Sequence, residues 1–170
     1  RVIIDYNIRI PKKIFSRKIS YKFYNKEEII RKYIINNNHK IKKNFLDFGS
    51  VNGDLNYLLG ISKNLNFNLD YKKNLEHFNN NYLYFSIDKK KSKKKNHFCH
   101  DLCMNNINKK YNKYKSYFDV VYSNNVFNHL TKPWIAAKNF LYFLKKGGIG
   151  VIAVPFSIRY QGSPIDCYRF

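Results

Sequence analysis

Short apolar runs alternate along this chain with segments of helical spacing, and that alternation sets the fold class before any single residue is weighed. Asn25 opens a predicted helix with Glu27 and Glu28 in its first turn, where carboxylates suit the positive end of the dipole. Ile29, Ile30, Tyr33 and Ile34 follow at helical spacing, and Asn36-Asn37-Asn38 closes the element. Asn44 to Phe48 reads as a short strand running into Gly49-Ser50-Val51-Asn52-Gly53, after which Leu55, Leu58 and Leu59 open a second helix. Asn64 to Asn81 is polar and Asn-rich and reads as a loop with a helical turn. Tyr82 to Asp88, Asn96 to His100 and Tyr117 to Ser123 read as strands. Thr131 with Pro133 opens a further helix whose apolar positions are Trp134, Ile135, Ala137, Phe140, Leu141 and Leu144. Lys145 and Lys146 suit its negative end, and Gly147-Gly148 terminates it. Ile149 to Pro155 is continuous and apolar, as central parallel strands are. Before all of these, Arg1 to Ile10 has the makings of a strand, and residues 12–24 form a basic, aromatic connector. This order predicts an α/β sheet with right-handed crossovers.

Ligands of an open parallel sheet gather outside the carboxyl ends of its strands. Four polar strand ends fall there together. They are Asp47 to Gly53, Asp88, Asp101, and Ser123-Asn124-Asn125. Glycines let a backbone approach a ligand closely, a following helix offers free N–H groups, and an acid at a strand tip can accept from both hydroxyls of a ribose. Each feature alone has a structural explanation, a tight turn or a cap. Their joint pattern on one sheet edge predicts a nucleoside-type cofactor. The glycines lack the Gly-x-Gly-x-x-Gly spacing of nicotinamide enzymes.

Composition changes this picture little. The 170 residues suffice for one α/β domain with a real core. The formal charge of +21 would ordinarily raise nucleic-acid binding. However, Lys occurs 26 times and Arg only 6 times, and arginine forks are what base and phosphate recognition favours. Lys, Asn, Ile, Tyr and Phe all have A/T-rich codons, so mutational bias explains the basicity, and nucleic acid is a possible but not favoured partner. Lys89 to Lys95 reads as a solvated loop. Three cysteines without a signal sequence predict a reducing, cytoplasmic setting and no disulfide framework. Cys99, Cys103, His97 and His100 cluster in sequence but lack a second ligand pair, and alternation sends Cys99 and His100 to opposite faces, so no metal site is expected. No apolar stretch is long enough to span a membrane. With no initial Met and an abrupt end at Phe170, the sequence reads as a piece of a longer chain.

Phe45 to Gly53 resembles the first motif of class I S-adenosylmethionine-dependent methyltransferases. Phe118 to Leu130 resembles the fourth-strand motif of that superfamily. Lys132-Pro133-Trp134, Leu144 to Gly148, and Pro155-Phe156 through Tyr160 to Phe170 resemble its type-11-like branch, with a Tyr-His-Gly-x-Pro-x-Asp-x-x-Arg-Phe segment. The resemblance covers about Asn44 to Phe170. It implies a Rossmann-like doubly wound sheet, mostly parallel and truncated before its last two strands. The corresponding division is an N-terminal extension with a helix over 1–40 and a cofactor-binding domain over 41–170.

The resemblance also implies roles. Asp47, Gly49 and Gly53 would line the methionine end of S-adenosyl-L-methionine, Asp88 would hold the ribose hydroxyls, and Asp101 with Leu102 would contact the adenine. Asn124 and Asn125 would lie beside the sulfonium and the acceptor, and His129, Tyr160, Asp166 and Arg169 would border the acceptor. Methyl transfer needs in-line positioning of a nucleophile, and a base is optional. His129 is the candidate by residue type, with a loop-anchoring role as the equal alternative. The sequence departs from the family pattern in three places: Val51 replaces the middle glycine, Asn128 an acid, and Gln161 a histidine. The gap from Gly53 to Asp88 also exceeds the roughly 20 residues of such units, so an insertion fills Leu59 to Asn81. The expectation is methyl transfer to a small-molecule or glycan-like acceptor. RNA methylation, or a non-catalytic binding protein of the same fold, are the alternatives.

Overall fold

A computed structural model describes residues 2–5, 39–50 and 71–154 of the chain. The helices predicted after Asn25 and after Gly53 lie outside the described residues, as do Val51, Gly53 and everything from Pro155 onward. The elements are β1 (Val2–Asp5), β2 (Lys43–Phe48), α1 (Tyr71–Asn81), β3 (Tyr82–Asp88), β4 (His97–Cys99), α2 (Ile107–Lys110), β5 (Phe118–Asn124), α3 (Pro133–Phe143) and β6 (Leu144–Ala153). Single 3-10 turns occupy Asn112–Tyr114 and Phe127–His129.

The strands form one six-stranded sheet in the order β1-β6-β5-β2-β3-β4, and every pairing is parallel. From β2 the chain steps outward through β3 to β4, then returns to the other side of β2 to lay down β5 and β6. The direction of winding therefore reverses between β2 and β5. Parallel pairing also brings the carboxyl ends of β2, β3, β4 and β5 to one edge. This is a Rossmann-like α/β sheet, as the sequence pattern predicts.

Strand alternation divides the core in two. Leu46, Phe48, Phe85, Ile87 and Val121 face α3, where Ala136, Phe140 and Phe143 complete a cluster with Phe118 and Ile107. On the other face Phe45 meets Phe78 of α1 edge-on at 5.1 Å, and Phe78 stacks on Tyr82 at 5.0 Å. Phe45, Phe48, Phe78, Phe118 and Phe143 are all 0% exposed. Each fully buried Phe removes enough apolar area to stabilise the fold by about 1.5–3 kcal/mol. The phenylalanines thus do what Leu and Val do in less A/T-biased cores.

Four details differ from the sequence expectation. The stretch read as a loop ending at Asn81 contains the three-turn helix α1. Its apolar signal is weak because Asn81, 7% exposed, occupies a buried position, with its amide donating to the His77 carbonyl at 2.8 Å and accepting from the His39 N–H at 2.7 Å. Helix α3 stops at Phe143, one turn before the glycines, and buries Ala136, Asn139, Phe140 and Phe143. Trp134 and Leu141, expected on the inner face, are 55% and 56% exposed. An asparagine in the buried stripe disguised the true face. Lys145 and Lys146 consequently open β6 instead of closing the helix. Four residues, 145–148, lie opposite Asp119 alone, because Phe118 pairs with Leu144 and Val120 with Ile149. A Cβ on Gly148 would lie 2.9 Å from the carbonyl oxygens of both Asp119 and Lys145, so glycine makes this excursion possible. Finally, α2 and its neighbouring 3-10 turn, between Asp101 and β5, carry no amphipathic signal of their own.

Asp119 fastens the opposite end of the sheet. It accepts from the Asn44 N–H at 3.0 Å and pairs with Lys145 Nζ at 3.1 Å, tying the starts of β2, β5 and β6. Burial opposes ionisation of Asp119, but the Asn44 N–H and Lys145, aided by Lys43, prevail and hold its carboxyl below the usual range.

Candidate functional site

The edge where the strands end is built around the reversal between β2 and β5, the place where open α/β sheets hold ligands. Gly49 follows β2 with φ +92°, a conformation that L side chains rarely adopt, and its N–H donates to the Ile87 carbonyl at 2.8 Å. Across the reversal sits Val126, so close that a Cβ on Gly49 would lie 2.5 Å from one Val126 Cγ and 2.6 Å from the other. Glycine is therefore required twice at this position, by backbone angle and by space.

Facing Gly49 across the reversal, β5 ends in Asn124. Its Nδ2 and Oδ1 are both buried and have no hydrogen-bond partner among the described residues. A buried amide without partners costs about 1–3 kcal/mol per group, so its presence at a strand tip marks a place where a ligand can supply what the protein does not. Next to it, Asn125 adopts φ +54° and donates its N–H to the Ala153 carbonyl at 2.8 Å, which turns the chain away from the sheet. Asparagine tolerates this left-handed angle better than most residues.

Asp47 is 7% exposed and accepts from the Tyr84 hydroxyl at 2.8 Å. Burial pushes its carboxyl up to about 7; Tyr84 opposes that shift, Asp88 adds to it, and Lys94 opposes it. Asp88 is half-buried at the tip of β3, where its carboxylate accepts from the Lys90 N–H at 2.9 Å and its carbonyl from the His100 N–H at 2.8 Å. Asp101 repeats that turn after β4: it is exposed, and its carboxylate accepts from the Cys103 N–H at 2.8 Å. Both acids therefore cap the turns that follow their strands. Leu102 is 5% exposed and packs into the main core, with Asn139 of α3 donating to its carbonyl at 2.8 Å and to that of Met104 at 2.9 Å.

His129 ends the 3-10 turn after β5, half-buried, and its N–H donates to the Val126 carbonyl at 2.9 Å. The Asn128 amide nitrogen lies 3.1 Å from His129 Nε2 and donates to it. That nitrogen's lone pair is thus engaged in this structure, and Asn128 itself is only 2% exposed. His97 and His100 have their own tasks. His97 Nδ1 lies 2.8 Å from Ser86 Oγ and its Nε2 lies 2.7 Å from the Lys90 carbonyl. His100 packs edge-on against Tyr111, and its pKa is lowered by burial and by Lys110. Cys99 and Cys103 are free, half-buried thiols.

Asp47, Gly49, Asp88, Asp101, Leu102, Asn124, Asn125 and His129 all lie at or just beyond the carboxyl ends of β2 to β5. Gly53, Tyr160, Asp166 and Arg169 lie outside the described residues. Sequence reasoning missed Tyr84, Val126 and Asn139. Tyr84 shares the face of Asp88 by strand alternation, and Asn139 is the lone polar residue in a buried helical stripe; both patterns are readable once the register is known.

A parallel sheet that reverses its winding, with glycine on one side of the reversal and a polar strand tip on the other, defines the doubly wound α/β class. Within that class, residues 73–152 match the family model of a methyltransferase domain, the type 11 family, which is a family of class I S-adenosylmethionine-dependent methyltransferases. No curated protein matches the chain significantly.

Proposed function

We propose that this protein transfers a methyl group from S-adenosyl-L-methionine to a small-molecule or glycan-like acceptor. The family match supports methyl transfer in general. The observation that carries the reading is the pair flanking the reversal: Gly49, which admits no side chain, and Asn124, whose buried amide waits for partners. The cofactor would supply an already activated methyl group. In this reading Gly49 gives it backbone access, Asp47 holds its charged amino-acid end, Asp88 its ribose hydroxyls, and the turn at Asp101 its base. Asn124 lies beside the sulfonium and Asn125 beside the acceptor, and His129, held by Asn128, positions the loop there. Tyr160, Asp166 and Arg169 complete the acceptor side. A cytoplasmic site of action and a domain spanning 41–170 behind an N-terminal extension go with this proposal. Among the described residues, no helix is long and apolar enough to cross a membrane.

The test is the melting temperature with and without S-adenosylhomocysteine. At a concentration ~100-fold above its dissociation constant, a ligand stabilises by about 2.7 kcal/mol, which is a rise of roughly 5–10 °C for a domain of this size. A cooperative transition that does not move would sink the enzyme reading and leave a non-catalytic relative.

A further inference from the structure

Asp47 has a phenol, not a cation, as its hydrogen-bond partner, and that choice bears on the cofactor site proposed above. A carboxylate only 7% exposed at the end of a central strand is costly to ionise unless something compensates it. Tyr84 is placed to compensate. It lies on β3 in register with Phe45, two residues short of Asp47 on the neighbouring strand, within the diagonal reach of a long side chain. Its ring stacks on Phe45 with centroids 6.2 Å apart and planes 20° apart. The ring is therefore held by packing that a phenylalanine would reproduce. The hydroxyl adds the 2.8 Å donation to Asp47.

We propose that Tyr84 is a positioning residue of the cofactor site, whose hydroxyl keeps the Asp47 carboxylate ionised and aimed for the ammonium group at the amino-acid end of the cofactor. This rests on the reading of the sheet edge as a cofactor site. The groups acting on Asp47 are Tyr84 and Asp88 from β3 and Lys94 from the loop beyond it, while its register partners, Ser86 on β3 and Tyr122 on β5, bring no formal charge. Burial sets the direction and Tyr84 pulls against it, leaving the carboxyl at about 7. The sign follows. An ammonium ion prefers the ionised carboxylate, so affinity is full above neutrality and falls as Asp47 takes up its proton below it. Removing the Tyr84 hydroxyl removes the compensation and moves that fall to higher pH.

The experiment measures S-adenosylhomocysteine affinity by titration calorimetry from about pH 5.5 to about pH 8.5, a range that spans the wild-type transition. In the wild type, affinity should drop up to about tenfold per pH unit below the midpoint. Tyr84→Phe should bind about ten- to hundredfold more weakly than the wild type at the acid end, with the gap narrowing toward the alkaline end, as a midpoint raised by about one to two pH units requires, the size of one hydrogen bond to a charged group. Asp47→Asn should bind weakly with a flat profile. A Tyr84→Phe profile parallel to the wild type, or a flat wild-type profile, would overturn the role of Tyr84 and leave the cofactor reading intact. A wild type that binds at no pH would overturn both. Should Tyr84→Phe fail to fold, Asp47→Asn still tests the premise: a pH dependence that persists without the carboxylate would overturn the proposal, since Asp47 would then not be the group that titrates.

Discussion

Gly49→Ala places one methyl group at the tightest point of the strand-end edge. The added Cβ would lie 2.5 Å and 2.6 Å from the two Cγ atoms of Val126 and 3.0 Å from its Cβ, at a residue whose φ is +92°. The steric component is of the kind met when a packed core is overfilled, about 1–3 kcal/mol. The left-handed backbone adds about 1–2 kcal/mol for a residue with a Cβ. The variant should therefore lose about 2–5 kcal/mol, seen as a fall in melting temperature of roughly 5–15 °C. The two components separate in a Val126→Ala background, where both Cγ atoms are gone and the backbone angle is unchanged. Equilibrium urea unfolding of the wild type, the two single variants and the double variant gives the coupling directly, and it should be about 1–3 kcal/mol. An equal cost of Gly49→Ala in both backgrounds would refute Val126 as the reason for glycine. No cost in either would refute the backbone angle as well.

Two further substitutions probe the strand tips. Asn124→Ala removes two buried atoms that have no partner among the described residues, so the ligand-free protein should be unchanged or stabilised by up to about 1 kcal/mol in urea unfolding. The melting-temperature rise with S-adenosylhomocysteine should shrink in that variant, and a large loss of ligand-free stability would show that the amide is satisfied in solution. Asp88→Ala loses its bond to the Lys90 N–H, a cost of about 0.5–1.5 kcal/mol, while S-adenosylhomocysteine affinity should fall at least about tenfold, the effect of losing hydrogen bonds to a charged group. Unchanged affinity in calorimetry would remove Asp88 from the site.

The sheet was legible because its strands are long apolar runs that need no partner to be recognised: Tyr82–Asp88 matches its predicted bounds residue for residue. The helices were harder, for one chemical reason. Asparagine replaces apolar or small residues inside buried faces, at Asn81 and Asn139, and satisfies itself through backbone carbonyls that no periodicity reveals. At the strand ends, the positions of Asp47, Gly49, Asp88, Asp101 and Asn124 followed from the rule that parallel strands share one carboxyl edge. What joins them did not. The Tyr84 hydroxyl reaches Asp47 diagonally across two strands, and Val126 reaches Gly49 across the reversal. Such contacts depend on register and on the order of strands in the sheet, which local pattern does not encode.

β1 pairs with the outer side of β6, Val2 opposite Gly150 and Asp5 opposite Ala153. Almost the whole described chain lies between those partners, so this ladder has the highest sequence separation in the sheet and closes against the largest loop entropy. During synthesis β1 is made before the other described strands and must wait, because its partner β6 is the last of them to emerge. Until β1 arrives, the outer edge of β6 offers unpaired N–H and C=O groups to any extended segment nearby. The first of the described strands is thus among the last to find its place, and the time it takes sets how long the nascent sheet is open to association with its neighbours.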